Sequence, residues 1–222
     1  MTSRKYYDME LQKLNGALLE MGEMIRMAIS GAVAALMEHD HDRARSIIAY
    51  DEEIDKQNRQ IEQQCYNLLL SQQPVAGDLR HISTAMKVVT DIERMGDHAS
   101  DIAEIIPHLV TVRKERDPAV SQAIAMGRKA YQMILDAMDA LTAEDEIAAR
   151  RVIAADDAVD YDFNVIKHTL AQEIAAAPAK VDAALDLLMV IKYLERIGDH
   201  AVNVAEWVQF VRTGRYKDES MF

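Results

Sequence analysis

The chain repeats itself, and that duplication narrows the folds open to it more than any other feature. Residues 91–104 read DIERMGDHASDIAE and residues 193–206 read YLERIGDHAVNVAE, identical at 8 of 14 positions with a constant offset of 102. Chance would supply about one match in such a window, so the similarity marks internal duplication. A second pair, Asp51 to Asp55 (DEEID) and Asp156 to Asp160 (DDAVD), recurs at an offset of 105, and the three-residue difference falls in the loops and helix ends between. At 222 residues the chain can hold one large domain or two small ones, and the repeat points to two copies of one unit.

Half of the chain is hydrophobic, while glycine totals 8 and proline 4. That is too little punctuation for the turns of an all-β protein and suits a few long helices. Apolar periodicity predicts six of them. The first runs from about Arg4 to Met37, with His39-Asp40-His41-Asp42 as its polar exit, and the second from about Asp42 to Ser71, ahead of Pro74. The third opens near Asp78 as N-cap and stops before Pro107. Asp117-Pro118, an N-cap followed by proline at the first helical position, opens the fourth and marks Arg113–Asp117 as the boundary between units. Thr142-Ala-Glu-Asp resembles a capping box that starts the fifth helix, which ends in the alanines before Pro178; the sixth runs to about Arg212 and stops at Gly214. The expected fold is all-α, six helices in two tandem, sequence-repeated three-helix bundles over residues 1–112 and 117–214, with 215–222 as a loose tail.

A formal net charge of -12 with pI near 5.0 sets the surface against nucleic acid and anionic membranes, and favours cations and basic protein patches as partners. The single cysteine, Cys65, permits no intramolecular disulfide and no thiolate zinc site, in keeping with a reducing compartment, and is expected in the core. The N-terminal residues lack an apolar stretch of signal-peptide length, and runs such as Leu187 to Ile191 are too short to cross a bilayer. A cytoplasmic protein with no direct membrane insertion is expected.

The chemistry lies in the repeated acids. Each helical residue advances by about 100°, so with Glu93 at zero Asp97 falls near 40°, Asp101 near 80° and Glu104 near 20°. These four share one stripe, which abuts the apolar face of Ile82, Val89, Gly96 and Ala103; the sixth helix repeats it with Glu195, Asp199, Asn203 and Glu206. The second helix has an apolar seam of Ile47, Ile54, Ile61, Cys65 and Leu68, and Asp51 falls on it; the fifth repeats this with Val152, Val159, Phe163, Ile166 and Asp156. An aspartate aimed at a core is costly unless paired or metal-bound. Helices joined by a short turn pack antiparallel. A hairpin turning at residue 74 therefore sets Asp51 against Asp97 and Asp55 against Glu93, and one turning at Pro178 sets Asp156 against Asp199 and Asp160 against Glu195.

Four acids so placed repel one another and call for cations among them. Carboxylate-only ligation selects hard, oxygen-preferring ions: iron, manganese or magnesium, with zinc admissible, and the oxygens suffice to bridge more than one ion. The alternative is that the acids pair with Arg94, Arg196, Arg80, Lys87 or Lys192, or form a solvated face. Duplication of both motifs in registers that make them meet favours one metal cluster per half. His98 and His200 point away from the stripe's centre, which suits a place beside the ligands or at the surface. Gly96 and Gly198, in mid-helix, are expected where helices approach closely, and Met21, Met24, Met27, Met86 and Met189 as core filler.

Taken together, the E-R-x-G-D segments at Glu93 and Glu195, the D-x-x-x-D segments at Asp51 and Asp156, Asp78-Leu-Arg80 and the two-times-three-helix layout resemble the PhoU family of phosphate-response regulators over nearly the whole chain. In that family such motifs ligate multinuclear iron or zinc clusters, which implies ligand roles for Asp51, Asp55, Glu93, Asp97, Asp156, Asp160, Glu195 and Asp199. Asp101 extends the first set, whereas its counterpart Asn203 is uncharged, so the second cluster is expected to hold fewer ions or to hold them more weakly. The resemblance further implies a non-enzymatic, homodimeric adaptor. It would report the state of the phosphate-specific ABC transporter to the PhoR sensor kinase and keep phosphate-starvation genes off when phosphate is plentiful. Its implied partners are the PAS region of that kinase and the ATPase subunit of the transporter.

Two other functions compete. A carboxylate-bridged di-iron oxidase or ferritin-like store needs Glu-x-x-His on two facing helices, and the sequence offers it only from Glu38 to His41, at a helix end. A histidine phosphotransfer bundle would use His98 or His200, where a phosphoryl group would sit unfavourably among acids.

Overall fold

The computed structural model describes residues 3–71, 74, 76–113, 117–217 and 219–220. Its helices are α1 (Ser3–Glu38), α2 (His41–Ser71), α3 (Ala76–Val112), α4 (Pro118–Ala143), α5 (Glu146–Ala176) and α6 (Val181–Thr213), and a 3-10 turn at Pro178–Lys180 leads into α6. Within each half all three helices pack on one another; between halves α3 packs on α6 and α1 on α4. Among the described elements α2 touches only α1 and α3, and α5 only α4, α6 and the turn. The apolar seams cause this arrangement: Ile47, Ile54, Ile61, Cys65 and Leu68 of α2 are all buried, as are Val152, Val159, Ile166 and Leu170 of α5. One continuous core runs through both halves, and burial there pushes the Cys65 thiol up to about 12.

Both halves turn from their first helix to their second through a left-handed residue, His39 with φ 57° and Glu144 with φ 48°, which are 105 residues apart. Left-handed backbone ends a helix sharply and lets the following N-cap begin the next. At α4 the Glu144 amide returns to the carbonyls of Ala140 and Leu141, and Asp145 then caps α5 by accepting from the amides of Ile147 and Ala148. Thr142 is therefore not a cap; it lies in the last turn of α4 and its hydroxyl donates to the Met138 carbonyl at 2.7 Å. Asp117 caps α4 as expected, with Pro118 at the first position.

Four further expectations change. Helix α3 does not stop before Pro107 but continues through it to Val112. An interior proline costs about 3 kcal/mol; burial of Ile106 and Leu109, worth about 1.5–3 kcal/mol each, offsets it. Asp78 is not the N-cap of α3, since the helix begins at Ala76 and Asp78 lies buried in its first turn. Met27 and Met189 are exposed at 51% and 43%, so they are not core filler, whereas Met21 is fully buried. Past Gly214, which ends α6 in left-handed backbone, the segment expected as a loose tail forms a two-residue ladder, β1 (Arg215–Tyr216) against β2 (Glu219–Ser220). Tyr216 stacks on the buried Trp207 with ring centres 4.2 Å apart. Residues 114–116 of the expected boundary, 218, 221 and 222 of the tail, and residues 1 and 2 lie outside the described residues.

Candidate metal centres

The antiparallel hairpins α2–α3 and α5–α6 bring the repeated acids together. In the first half Asp55, Glu93 and Asp97 each offer a carboxylate oxygen within 4.8 Å of the others. Asp51 joins them: its carboxyl is pushed up to about 6, first by burial and then by the charges of Asp97, Asp55, Asp101 and Glu104. The Glu93 carboxyl is raised as well, by burial and then by Asp97. In the second half Asp156 is pushed up to about 6 by burial, then by Asp160, Asp199 and Glu195. Asp199 is raised by burial and then by Glu195. Each aspartate that falls on an apolar seam is thus driven toward its neutral form first by burial and then by the acids facing it.

One atom in each half tests whether a cation suits the site. Asp51 Oδ1 and Asp156 Oδ1 are both buried without a hydrogen-bond donor. Buried carboxylate oxygens need a donor, a proton or a cation, and these two occupy repeat-equivalent positions 105 residues apart. Gly198 makes room for one of them, since a Cβ there would stand 3.1 Å from Asp156 Oδ1. The equivalent space at Gly96 is taken by Ile25 and Ile54, each 3.1 Å from a Cβ. An all-oxygen donor set with an orphaned buried oxygen fits a hard cation.

The halves differ at their edges. Arg94 reaches Asp97 at 2.8 Å and Glu93 at 3.5 Å, as the alternative of basic pairing expects, and Arg59, which the sequence did not single out, reaches Asp55 at 3.4 Å. These cations are exposed and leave Asp51 untouched. In the second half Lys192 pairs with Glu195 and leans over the Phe163 ring. Its counterpart in the first repeat is Thr90, which offers no charge to Glu93. Among the described residues the close oxygen triplet appears in the first half alone.

Asp101 and Asn203 lie further along the stripe. Asp101 adds to the charge felt by Asp51 and its Oδ2 lies 3.4 Å from His98 Nδ1. Asn203 turns away from the second set and donates to Asp91 Oδ1 at 2.9 Å. His98 and His200 are not surface residues: their side chains are 12% and 19% exposed, inside the α3–α6 seam. Such burial is unfavourable for phosphotransfer. Asp91, which accepts from both Asn203 and His200, escaped sequence reasoning because its repeat partner is Tyr193 and nothing in the duplication flags it. The lone Glu38-x-x-His41 motif spans the turn from α1 to α2, and Glu38 pairs with Arg43 at 2.8 Å, so it does not build an oxidase centre.

Metal-free protein should reveal the cost of the raised carboxyls. Asp51 moves from its usual 3.8 to about 6 on folding, so between those values the folded state holds a proton that the unfolded state releases. Stability therefore falls as pH rises from about 4 to 6 and stays lowered above. In chelated protein Asp51→Asn, whose amide can donate to Asp97, is expected to stabilise by about 1–2 kcal/mol at pH 7.5, a value discounted for partial solvation, with the gain shrinking toward pH 4. Denaturant melts at both pH values check this; a variant less stable than the parent at pH 7.5 would contradict it.

Comparison with known proteins follows the same duplication. The family model described as PhoU domain matches residues 18–106 and again 124–208. A relative from Clostridium acetobutylicum, named as a phosphate-specific transport system accessory protein PhoU homolog, is 39% identical over 97% of this chain and 98% of its own. One of the same name from Caulobacter vibrioides is 34% identical over 95% of this chain and 91% of its own. The crystal structure of PhoU from Pseudomonas aeruginosa superposes with a TM-score of 0.90 at 30% identity, covering 94% of this chain and all (100%) of that one. The phosphate transport system regulatory protein PhoU from Streptococcus pneumoniae gives 0.85 at 28% identity, with 96% and 99% covered.

Proposed function

The chain belongs to the PhoU family, carrying its domain twice, and from that premise we propose that it is a negative regulator of the phosphate-starvation response. It links the phosphate ABC transporter to the PhoR sensor kinase and meets the PAS region of that kinase and the ATPase subunit of the transporter. It works in the cytoplasm, as a homodimer, by binding and not by catalysis. The observation that carries this reading is similarity over essentially the full length of both chains to proteins named as accessory to, or regulatory of, phosphate transport. No described helix is long and apolar enough to cross a membrane, which suits an accessory to a transporter better than a pore.

The metal centres belong to the same proposal. Asp51, Asp55, Glu93 and Asp97, extended by Asp101, hold ions in the first repeat; Asp156, Asp160, Glu195 and Asp199 do so in the second, with Asn203 at the far end of that stripe. Iron or zinc clusters, or manganese or magnesium, would supply positive charge where the facing acids otherwise repel, and so lock α2 to α3 and α5 to α6. The protein's own part is to present the oxygens from rigid helices. Support comes from the two orphaned aspartate oxygens at equivalent positions.

A phosphate-starvation promoter reporter in phosphate-rich medium tests the regulatory role. Derepression in a strain lacking this chain, reversed by the intact gene, is expected. An unchanged reporter would overturn the role and leave a helical metal-binding protein.

A further inference from the structure

The seam between α3 and α6 holds a histidine from each repeat, and each has a carboxylate at its Nδ1. His98 faces Asp101 of its own helix at 3.4 Å, whereas His200 faces Asp91 Oδ1 of the other repeat at 2.8 Å. The two imidazoles lie 5.6 Å apart, and His98 stacks on Tyr193 with ring centres 5.4 Å apart. Across the repeat the partners have changed. The counterpart of Asp101 is Asn203, which cannot serve His200 as an acid and instead donates to the same Asp91 oxygen at 2.9 Å. The counterpart of Asp91 is Tyr193. The second copy of the motif has Asn203 where the first has an acid, and its histidine takes a carboxylate from the first copy.

We propose that Asp91 is a positioning residue for the second carboxylate centre, fixing the rotation of α6 and with it Glu195 and Asp199. This rests on the reading that Asp156, Asp160, Glu195 and Asp199 hold a metal ion. A carboxylate accepts only, so Nδ1 of His200 donates, and two donors one turn apart on α6 meet one oxygen on α3. Asp199 directly precedes His200 and Glu195 lies about one turn earlier, so all four side chains ride on one rigid stretch of helix. A roll of α6 by about 10° would carry a carboxylate some 6 Å from the axis through roughly 1 Å, while ligation tolerates about 0.2 Å. Lys192 pairs with Glu195 within α6 and turns with it, so it sets the Glu195 side chain but not the rotation of the helix, which the bonds to Asp91 fix relative to α3. In the first repeat the corresponding bond stays within α3, so it orients the His98 ring and ties no second helix.

The experiment uses the full chain in an Asp97→Ala background, which silences the first centre, with manganese(II) titrated by calorimetry. Asp91→Ala and His200→Leu are each expected to weaken manganese binding about tenfold or more. His200→Asn, whose amide can take the place of Nδ1 against Asp91, should stay within about threefold of the background protein by retaining that bond. Circular dichroism melts confirm that each variant is folded, and the His200 pair serves if Asp91→Ala is not. Equal affinities in His200→Leu and His200→Asn overturn the positioning role while leaving the metal centre standing. No manganese bound by the Asp97→Ala background overturns the metal reading itself, and this inference with it.

Discussion

Protein carrying Asp55→Ala and Asp97→Ala together is expected to lose metal from its first repeat while keeping it in the second. These two residues supply two of the three oxygens that lie within 4.8 Å of one another, one from each arm of the hairpin. Removing a partner that merely orients a ligand costs about 10–100-fold in affinity, so removing two ligands should weaken the first centre by 100-fold or more. Elemental analysis of protein purified without chelator should show half the parent content or less, and adding Asp156→Ala and Asp199→Ala should remove the remainder. Metal content equal to the parent in the four-residue variant would mean that the acids form a solvated face, balanced by Arg94, Arg59 and Lys192. The helices themselves should survive, because the seams on either side of Asp51 and Asp156 are apolar and buried.

The second large effect is on stability and lies away from the acids. The Arg113 side chain is only 4% exposed, and its guanidinium reaches Asp117 at 2.8 Å, Glu173 at 2.9 Å and the Ala183 carbonyl at 3.1 Å. It thereby ties the end of α3 to the N-cap of α4, the last turns of α5 and the first turn of α6, where the two repeats join. Arg113→Met keeps most of the apolar stem but removes the side-chain donor to the Ala183 carbonyl, the cation beside Asp117 and the nearer of two cations beside Glu173. Breaking a buried ion pair from one side costs about 3–5 kcal/mol. Asp117 and Glu173 keep about a fifth of their surface in water, at 20% and 22%, and Lys180 lies 3.6 Å from Glu173, so the lower end applies. About 3 kcal/mol in a protein of this size lowers the melting temperature by roughly 6–12 °C. A scan showing less than about 2 °C would mean that water replaces the guanidinium without penalty.

Much of the architecture was legible because two independent periodicities agree. The offset of 102 between the E-R-x-G-D segments and the turns at Pro74 and Pro178 together predict which acids meet, and the charges that raise Asp51 and Asp156 come from those residues. Pro107 misled because the sequence shows the missing amide but not the burial of Ile106 and Leu109 that carries α3 onward. Thr142 and Asp145 are both good N-cap types, and only the left-handed Glu144 between them decides. In the sequence Lys192 is one of five basic residues near the acids, with nothing to set it apart. Its selective effect on Glu195 follows from the repeat, where Thr90 stands in its place. Asp91 and Arg113 were beyond reach for one shared reason: each acts across the join between repeats, and helical period within a segment carries no information about a partner on another one.

We propose that duplication built two carboxylate centres that bind metal. Stripped parent protein titrated with manganese(II) at pH 7.5, with free ion followed by electron paramagnetic resonance, tests it most directly. Saturable binding of at least one ion per repeat, with the second repeat weaker, is the result expected from Lys192 and Asn203 in the second set. Free manganese tracking total manganese throughout, with no saturable binding, would contradict it and leave Asp51 and Asp156 as protonated acids in a purely structural core.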